Sequence, residues 1–407
     1  MLINTFSALL VAFPFILVSG TFLTNLSMTA IGIYYIASLY KHEAREFLDN
    51  FLVKLIFIFW IYLIFNSLLS VNIASSLESS LFYGRFILFS LGTALLITQN
   101  EKIILYFGYS LWTCLVLLTL DGYLQFFTGK NIIGLEKFDE LRISSFFGDE
   151  LILGNFLARL MPLAFFFIYF IKLNRLSIIF LGLLVLMLID VLIFFSGERT
   201  AFFLLILGSI MIILLIPNFR IIRAITFLVS CFLIIIITTK FTEVKERMID
   251  QTINDIGLSN PEQNLVIFSQ GHQDHYRVAF SMFIENPIIG HGPKMFRFLC
   301  SEYSVNSIGC STHPHNSYLQ LLAETGIIGF LPVMGIFIYI VFTLSRHFFF
   351  YFLGKNQFIL KNETIFLLIC FSITLWPFAP SFNFFTSWIN AIYYLPVGFY
   401  LYQSRRQ

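Results

Sequence analysis

Residues 311–330 read S-T-H-P-H-N-S-Y-L-Q-L-L-A-E-T-G-I-I-G-F, a polar, histidine-bearing entry into an apolar run. Pro314 suits the first helical position, where a missing N–H is no loss, so His313 is expected as the cap and His315 in the first turn. There the positive end of the helix dipole disfavours a second proton on the imidazole. A neutral His315 is the state a general base needs. Asn316, Gln320 and Glu324 recur every four residues and fall on one helical face. On a membrane helix such a polar stripe is expected to look into the protein.

The rest of the chain supplies the membrane setting. Of 407 residues, 58% are hydrophobic and 12% charged, about half the charge of an ordinary soluble domain. The formal net charge of +2 argues against a nucleic-acid partner. The expected fold is an all-α integral membrane protein, a single polytopic domain over 1–407. Apolar runs of spanning length predict about twelve transmembrane helices. They fall at roughly 5–19, 22–40, 51–69, 82–98, 103–121, 151–171, 178–195, 200–216, 222–239, 316–345, 363–377 and 384–402. Residues 1–5 carry no basic side chain and no A-x-A cleavage pattern follows, so the first run is expected to be retained.

Basic residues orient the chain. With the N-terminus inside, the inner segments hold Lys41, Arg45, Lys54, Lys102, Lys172, Arg175, Arg220, Arg223, Arg346, Lys355, Lys361, Arg405 and Arg406. Outside the one long loop, the outer segments hold only Arg85, Lys130, Lys137, Arg142, Arg159 and Arg199. Both termini are therefore expected inside. Asp190 and Glu324, the clear acidic intrusions into the spans, are expected toward the outer side.

Two outer segments stand out. One, 122–150, contains R-I-S-S-F-F-G-D-E. The other, the long loop at 240–314, precedes the tenth helix and leads into the histidine motif. Five of the seven histidines, His272, His275, His291, His313 and His315, lie in this loop or at its end. Asp274 is expected to cap a short amphipathic helix, H-Y-R-V-A-F-S-M-F-I-E, ending before Pro287, with Arg277, Phe280, Ser281 and Ile284 on one face. Cys300 and Cys310 flank a polar stretch here. They form a disulfide if this side is oxidising, or remain two free thiols. The five cysteines form no metal motif.

Several side chains have both a plain and a chemical reading. Arg199, in the S-G-E-R-T-A turn, is either an interfacial charge paired with Glu198 or a guanidinium gripping phosphate with its rigid fork. Arg277 is either solvated or part of such a grip. For Arg142 a loop charge, and for Arg159 an interfacial snorkeller, are the plain readings. His315 alone would be an interfacial histidine. A metal site built from His272, His275, His313 and His315 is the alternative to a proton-transfer role. H-P-H does not continue the H-x-x-H geometry of one helix face.

Taken together, these motifs resemble the O-antigen ligase and polymerase superfamily of bacterial-envelope glycosyltransferases. H-P-H-N-S-Y-L-Q-L-L-A-E-T-G-I-I-G-F is similar to its signature. S-G-E-R-T resembles its arginine-bearing turn. H-Y-R-V-A-F-S-M-F-I-E-N-P-I-I-G-H-G resembles its loop arginine helix and N-P-x-x-G-x-G loop. R-I-S-S-F-F-G-D-E resembles its R-x-S-G-x-F loop, with Gly-Asp-Glu in place of the more usual Asn-Pro-Asn type. The resemblance extends over roughly 80–345.

It implies a metal-independent, cofactor-free transfer in the bacterial inner membrane, with the active site facing the periplasm and 240–314 as a periplasmic loop. The donor would be a glycan on undecaprenyl pyrophosphate. The acceptor would be a lipid A–core hydroxyl for a ligase, or another lipid-linked glycan for a polymerase. Carried over residue by residue, the resemblance makes His315 the catalytic base and Arg199 and Arg277 the pyrophosphate clamps, with Arg142, His313, Asn316 and Glu324 as supporting candidates. A polysaccharide flippase or other transporter is the competing class. It would place ionisable groups near the bilayer midplane.

Overall fold

The structure, a computed structural model, describes residues 2–138, 142–171, 176–258, 266, 268–304, 309–355 and 357–406. Lys172 and Arg175 of the charge tally, and parts of the 240–314 stretch, lie outside the described residues. Among the described residues the regular elements are helical, and an isolated bridge joins Lys130 to Glu136.

Each of the twelve expected segments contains a helix, and the long 240–314 stretch adds two of eight residues or more. In chain order these are α1 (Leu2–Val18), α2 (Thr21–Ala37), α3 (Phe51–Ser67), α4 (Ile73–Gln99), α5 (Lys102–Thr128), α6 (Leu153–Ile168) and α7 (Leu176–Phe195). Then come α8 (Arg199–Leu215), α9 (Pro217–Lys240), α10 (Gln270–Glu285), α11 (Phe296–Tyr303), α12 (Ser317–Phe352), α13 (Asn362–Thr374) and α14 (Ser387–Arg405). By length and apolarity α4, α5, α9 and α12 are each able to cross a bilayer. A fifth candidate is α2 joined to the segment His42–Asp49, from which it is bent by 113°. Most of the remainder are shorter apolar helices. This is the make-up of an integral membrane protein. The described residues of the 240–314 stretch are also largely helical.

The chain divides into two compact units. The first comprises Met1–Thr24, Leu96–Thr252 and Ile340–Thr374. Its centre is α6, buried at every position from Leu153 to Phe167. A helix apolar on all sides needs neighbours on all sides, and α6 packs on α5, α7, α8 and α13. Arg159 is on this helix, 3% exposed, donating to the Thr374 carbonyl. It is therefore a buried anchor and not an interfacial snorkeller, because its guanidinium meets a carbonyl freed at the end of α13.

A second buried charge corrects the depth assignments. Asp190 on α7 and Arg223 on α9 are bonded bidentately at 2.8 and 3.0 Å, each side chain 1% exposed. Ser209 and Ser230 satisfy the remaining valences. The expectation of Arg223 at the inner boundary and Asp190 toward the outer one fails, because the ion pair holds both at one depth. Arg159 and Arg223, one from each side of the charge count, are thus buried. At one end of this unit, Arg220 lies 5.7 Å over the Tyr351 ring and His347 reaches the Leu215 carbonyl. These inner-assigned segments do share a face.

The second unit comprises Asn25–Leu95, Ile253–Tyr339 and Leu375–Gln407. Here Arg405 pairs with Glu46, so the end of α14 and the His42–Glu46 turn lie on one face. A helical cap of α10 and α11 packs through Val278, Ala279, Met282, Phe296, Leu299 and Cys300.

Candidate functional site

The histidine motif differs from its expected geometry. Helix α12 begins at Ser317, and Asn316 is the cap: its Oδ1 accepts from the N–H groups of Tyr318 and Leu319, both at 3.0 Å. Two donors on one carboxamide oxygen outcompete the start at Pro314. His313 is therefore not the cap, and His315 precedes the helix instead of lying in its first turn. His315 has φ +55°, a left-handed conformation that costs a β-carbon residue about 1 kcal/mol. Its carbonyl accepts from Ser381 N–H at 2.8 Å, and Ser317 N–H donates to Ser381 Oγ at 2.7 Å.

Around the His315 ring stand three more imidazoles. Ring centroids lie 4.1 Å away for His313, 5.2 Å for His275 and 5.6 Å for His272. Burial pushes the His315 imidazole down to about 3, and the neighbouring imidazoles push the same way. His313 falls to about 4, chiefly through burial, with Arg297 and His275 adding to it. His315 is thus neutral, though burial and like charges do this and not a helix dipole. Among the described residues, no group of three or more His, Cys, Asp or Glu side chains has metal-holding geometry.

The expected polar stripe faces inward, with Asn316, Gln320 and Glu324 at 7%, 0% and 0% exposed. Asn316 Nδ2 donates to the Pro377 carbonyl, and Gln320 bonds Glu324, Asn383 and Phe384 N–H. Glu324 Oε1 accepts from Phe296 N–H at the start of α11. These side chains fix the loops around His315. The 375–386 loop was not anticipated as a partner, because W-P-F-A-P-S-F-N carries no charge to mark it.

The two glycine motifs explain each other. Gly326 (φ +61°, ψ −168°) breaks α12, freeing carbonyls before it and N–H groups after it. The N-P-I-I-G-H-G loop supplies the missing partners. His291 and Gly292 N–H donate to the Ala323 and Glu324 carbonyls at 3.1 and 2.7 Å. Ile327 and Ile328 N–H donate to the Pro287 and Ile288 carbonyls at 2.9 and 3.3 Å. Asn66 and Tyr62 of α3 bond the Ile289 and Thr325 carbonyls. This splice joins the end of α10 to the helix that His315 leads into.

Arg277 is on α10 with a two-thirds exposed side chain, 3.4 Å from Asp274. Asp274 is not the cap of this helix. Ser269 is, and the helix starts at Gln270 because the Ser269 hydroxyl accepts from His272 N–H. Arg277, Phe280, Ser281 and Ile284 do form the exposed face. Cys300 and Cys310 are joined as a disulfide that ties α11 to the segment before His313.

The other candidate arginines belong to the first unit. Arg199 opens α8, and its Nη2 donates to the Arg247 carbonyl at 3.4 Å. Arg247, which no sequence signal marked, donates from Nε to the Gly197 carbonyl at 3.2 Å. The Glu198 carboxylate accepts from the N–H groups of Gly154 and Asn155 and from Asn155 Nδ2, closing the start of α6. Burial pushes the Glu198 carboxyl up to about 7 despite these bonds and the nearby Arg142 charge. In the R-I-S-S loop, Ser144 and Ser145 N–H donate to Gln125, and Ser145 Oγ to Asp121. Arg142 is half-buried at the base of that loop.

Residues 182–334 match the family model described as O-Antigen ligase. No curated protein matches the chain. The matched span, less than half of the chain, contains Arg199, Arg277, His313, His315, Asn316 and Glu324, while Arg142 lies outside it. The match supports the resemblance to the O-antigen ligase superfamily.

Proposed function

Starting from the O-antigen ligase match, we propose that the protein transfers a glycan from undecaprenyl pyrophosphate to a lipid A–core hydroxyl at the periplasmic face of the bacterial inner membrane. The observation that carries this reading is His315. It is a neutral imidazole held in a left-handed turn and fixed by backbone bonds to a loop and a capped helix. A neutral imidazole at a membrane helix start has a lone pair to offer a hydroxyl proton.

In the step proposed, the acceptor oxygen attacks the anomeric carbon as its proton passes to His315. The bond to the pyrophosphate oxygen breaks on the opposite side, so the configuration inverts. Negative charge develops on the departing pyrophosphate, and Arg199 and Arg277 are the guanidiniums assigned to stabilise it, without a metal or cofactor. The polyprenyl tail stays in the bilayer, with both termini of the protein in the cytoplasm, twelve spans, and 240–314 as the periplasmic region.

The same chemistry with a lipid-linked glycan as acceptor would make the protein a polymerase. Transport is less well supported. The buried ionisable pair Asp190–Arg223 has its polar atoms engaged by one another and by two serines, which is how a structural staple is built. The deciding experiment supplies purified protein with undecaprenyl-pyrophosphate glycan, with and without lipid A–core, with His315→Ala as control. Glycan on lipid A–core that depends on His315 supports the ligase. Longer lipid-linked glycans made without lipid A–core support the polymerase. A His315→Ala protein that still transfers would overturn the base assignment.

A further inference from the structure

If His315 takes a proton at each turnover, it must also lose it, and among the described residues no carboxylate bonds the ring. His315 Nε2 meets the Ser311 hydroxyl, at 3.4 Å. The surrounding residues suggest where the proton goes. His272 Nδ1 is held by Ser269 Oγ at 2.7 Å, and His313 Nδ1 by Thr312 Oγ1 at 3.1 Å. His275 Nδ1 and His313 Nε2 are both buried and make no hydrogen bond among the described residues, but the His313 ring, 4.1 Å away, is too close for an in-line N–H···N bond. The His275 ring is 5.2 Å from the His315 ring, tilted by 32°. Two imidazoles joined by one N–H···N bond of about 2.9 Å have centroids about 5 Å apart once the ring radii are added. The His275 ring therefore lies at the centroid separation of a directly hydrogen-bonded pair.

We infer that His275, on the cap helix α10, is the positioning and relay residue for His315, receiving the proton that His315 removes from the acceptor hydroxyl. The inference rests on the proposed role of His315 as base. The balance is simple. The acceptor O–H bond breaks, its oxygen forms the new glycosidic bond, and the pyrophosphate leaves with the electron pair of the old one. The proton moves to His315, then to His275 Nδ1, and then to solvent. An unpaired buried nitrogen is otherwise costly, by about 1–3 kcal/mol, so a group that accepts a proton there has a reason to persist.

The charged and titratable groups around the pair set the direction of the test. From α10 they are His272, Asp274 and Arg277, from α11 Arg297, and from the turn His313. Asp274 accepts from Gln270 and Arg277 through Oδ1 and leaves Oδ2 buried without a hydrogen bond among the described residues, while the neighbouring imidazoles, His275 among them, act against a proton on His315. A proton on His275 therefore disfavours one on His315, and removing the His275 imidazole should let His315 protonate at higher pH.

The test is a histidine-15N NMR titration of the full-length protein in detergent, wild type against His275→Gln, with His315→Ala to assign the His315 signal. Alongside it, turnover is measured against pH. The His315 titration midpoint should rise by about half a unit or more in His275→Gln. Turnover should fall about 10- to 100-fold, with its acidic limb moved to higher pH, and added imidazole should restore part of it in His275→Ala. An unchanged His315 midpoint would overturn the relay whatever the activity. So would undiminished turnover. If wild type transfers nothing but the midpoint still moves, the coupling of the two rings stands and the glycosyl-transfer reading is what fails.

Discussion

Gly326 stands so close to Ile288 that a Cβ on Gly326 would lie 2.3 Å from the Ile288 carbonyl oxygen. The same glycine has φ +61°, which β-carbon residues adopt only with strain. Gly326→Ala should therefore force the N-P-I-I-G-H-G loop off the helix break and loosen the cap that carries His275 and Arg277. A loss of about 2 kcal/mol or more is expected. Thermal unfolding in detergent checks the stability, and transfer activity should fall with it.

His315 shows the reverse relation between strain and use. Its φ of +55° is free for glycine and costs histidine about 1 kcal/mol. His315→Gly should thus unfold no earlier than wild type while losing transfer by 100-fold or more. A variant that is both less stable and still active would contradict this account.

Arg199 tests the fork geometry. Arg199→Lys retains the charge but would lose the proposed two-point contact with phosphate oxygens. Turnover should drop about 10-fold or more, with insertion and thermal stability close to wild type. Full activity in this variant would remove the bidentate role.

Asp190 and Arg223 test the staple against transport. Asp190→Ala leaves a buried guanidinium without its partner and should cost about 3–5 kcal/mol, whereas Asp190→Leu with Arg223→Met should recover most of that loss. Recovery of stability together with transfer, measured on the same samples, is the expected result. A double variant that folds but loses function would give the pair a working role.

Glu198 provides a pH test. Its carboxyl is raised from the ordinary 4.5 to about 7 in the folded protein, so the folded state binds the proton more tightly than the unfolded state. The resulting stability is fully present below about 4.5 and is lost as pH rises through about 7. Glu198→Gln, neutral throughout, should flatten the pH dependence of the melting temperature in this window. An unaltered dependence would mean that another group controls it.

The neutral histidines should act in the opposite sense. Folded values of about 4 for His313 and about 3 for His315 lie below the ordinary 6.5, so their stability contribution is lost as pH falls through that range.

The sequence by itself determined the helices and which face of α12 is polar. Apolar runs of spanning length have no other stable arrangement in lipid, because every backbone N–H and C=O must be satisfied internally. It also singled out the histidine motif and the glycine loop, since H-P-H-N and N-P-I-I-G-H-G stand out against apolar surroundings. Tertiary structure alone decided the rest. Asn316 displaced His313 as cap because its side chain could reach two N–H groups. Asp190 and Arg223, 33 residues apart, found each other because a charge buried among apolar helices must be paired. That the loop around Gly290 would serve the break at Gly326 depended on that loop folding back onto the helix. Such partnerships between distant residues follow no local period. They are set by which backbone groups remain unsatisfied once the helices have packed.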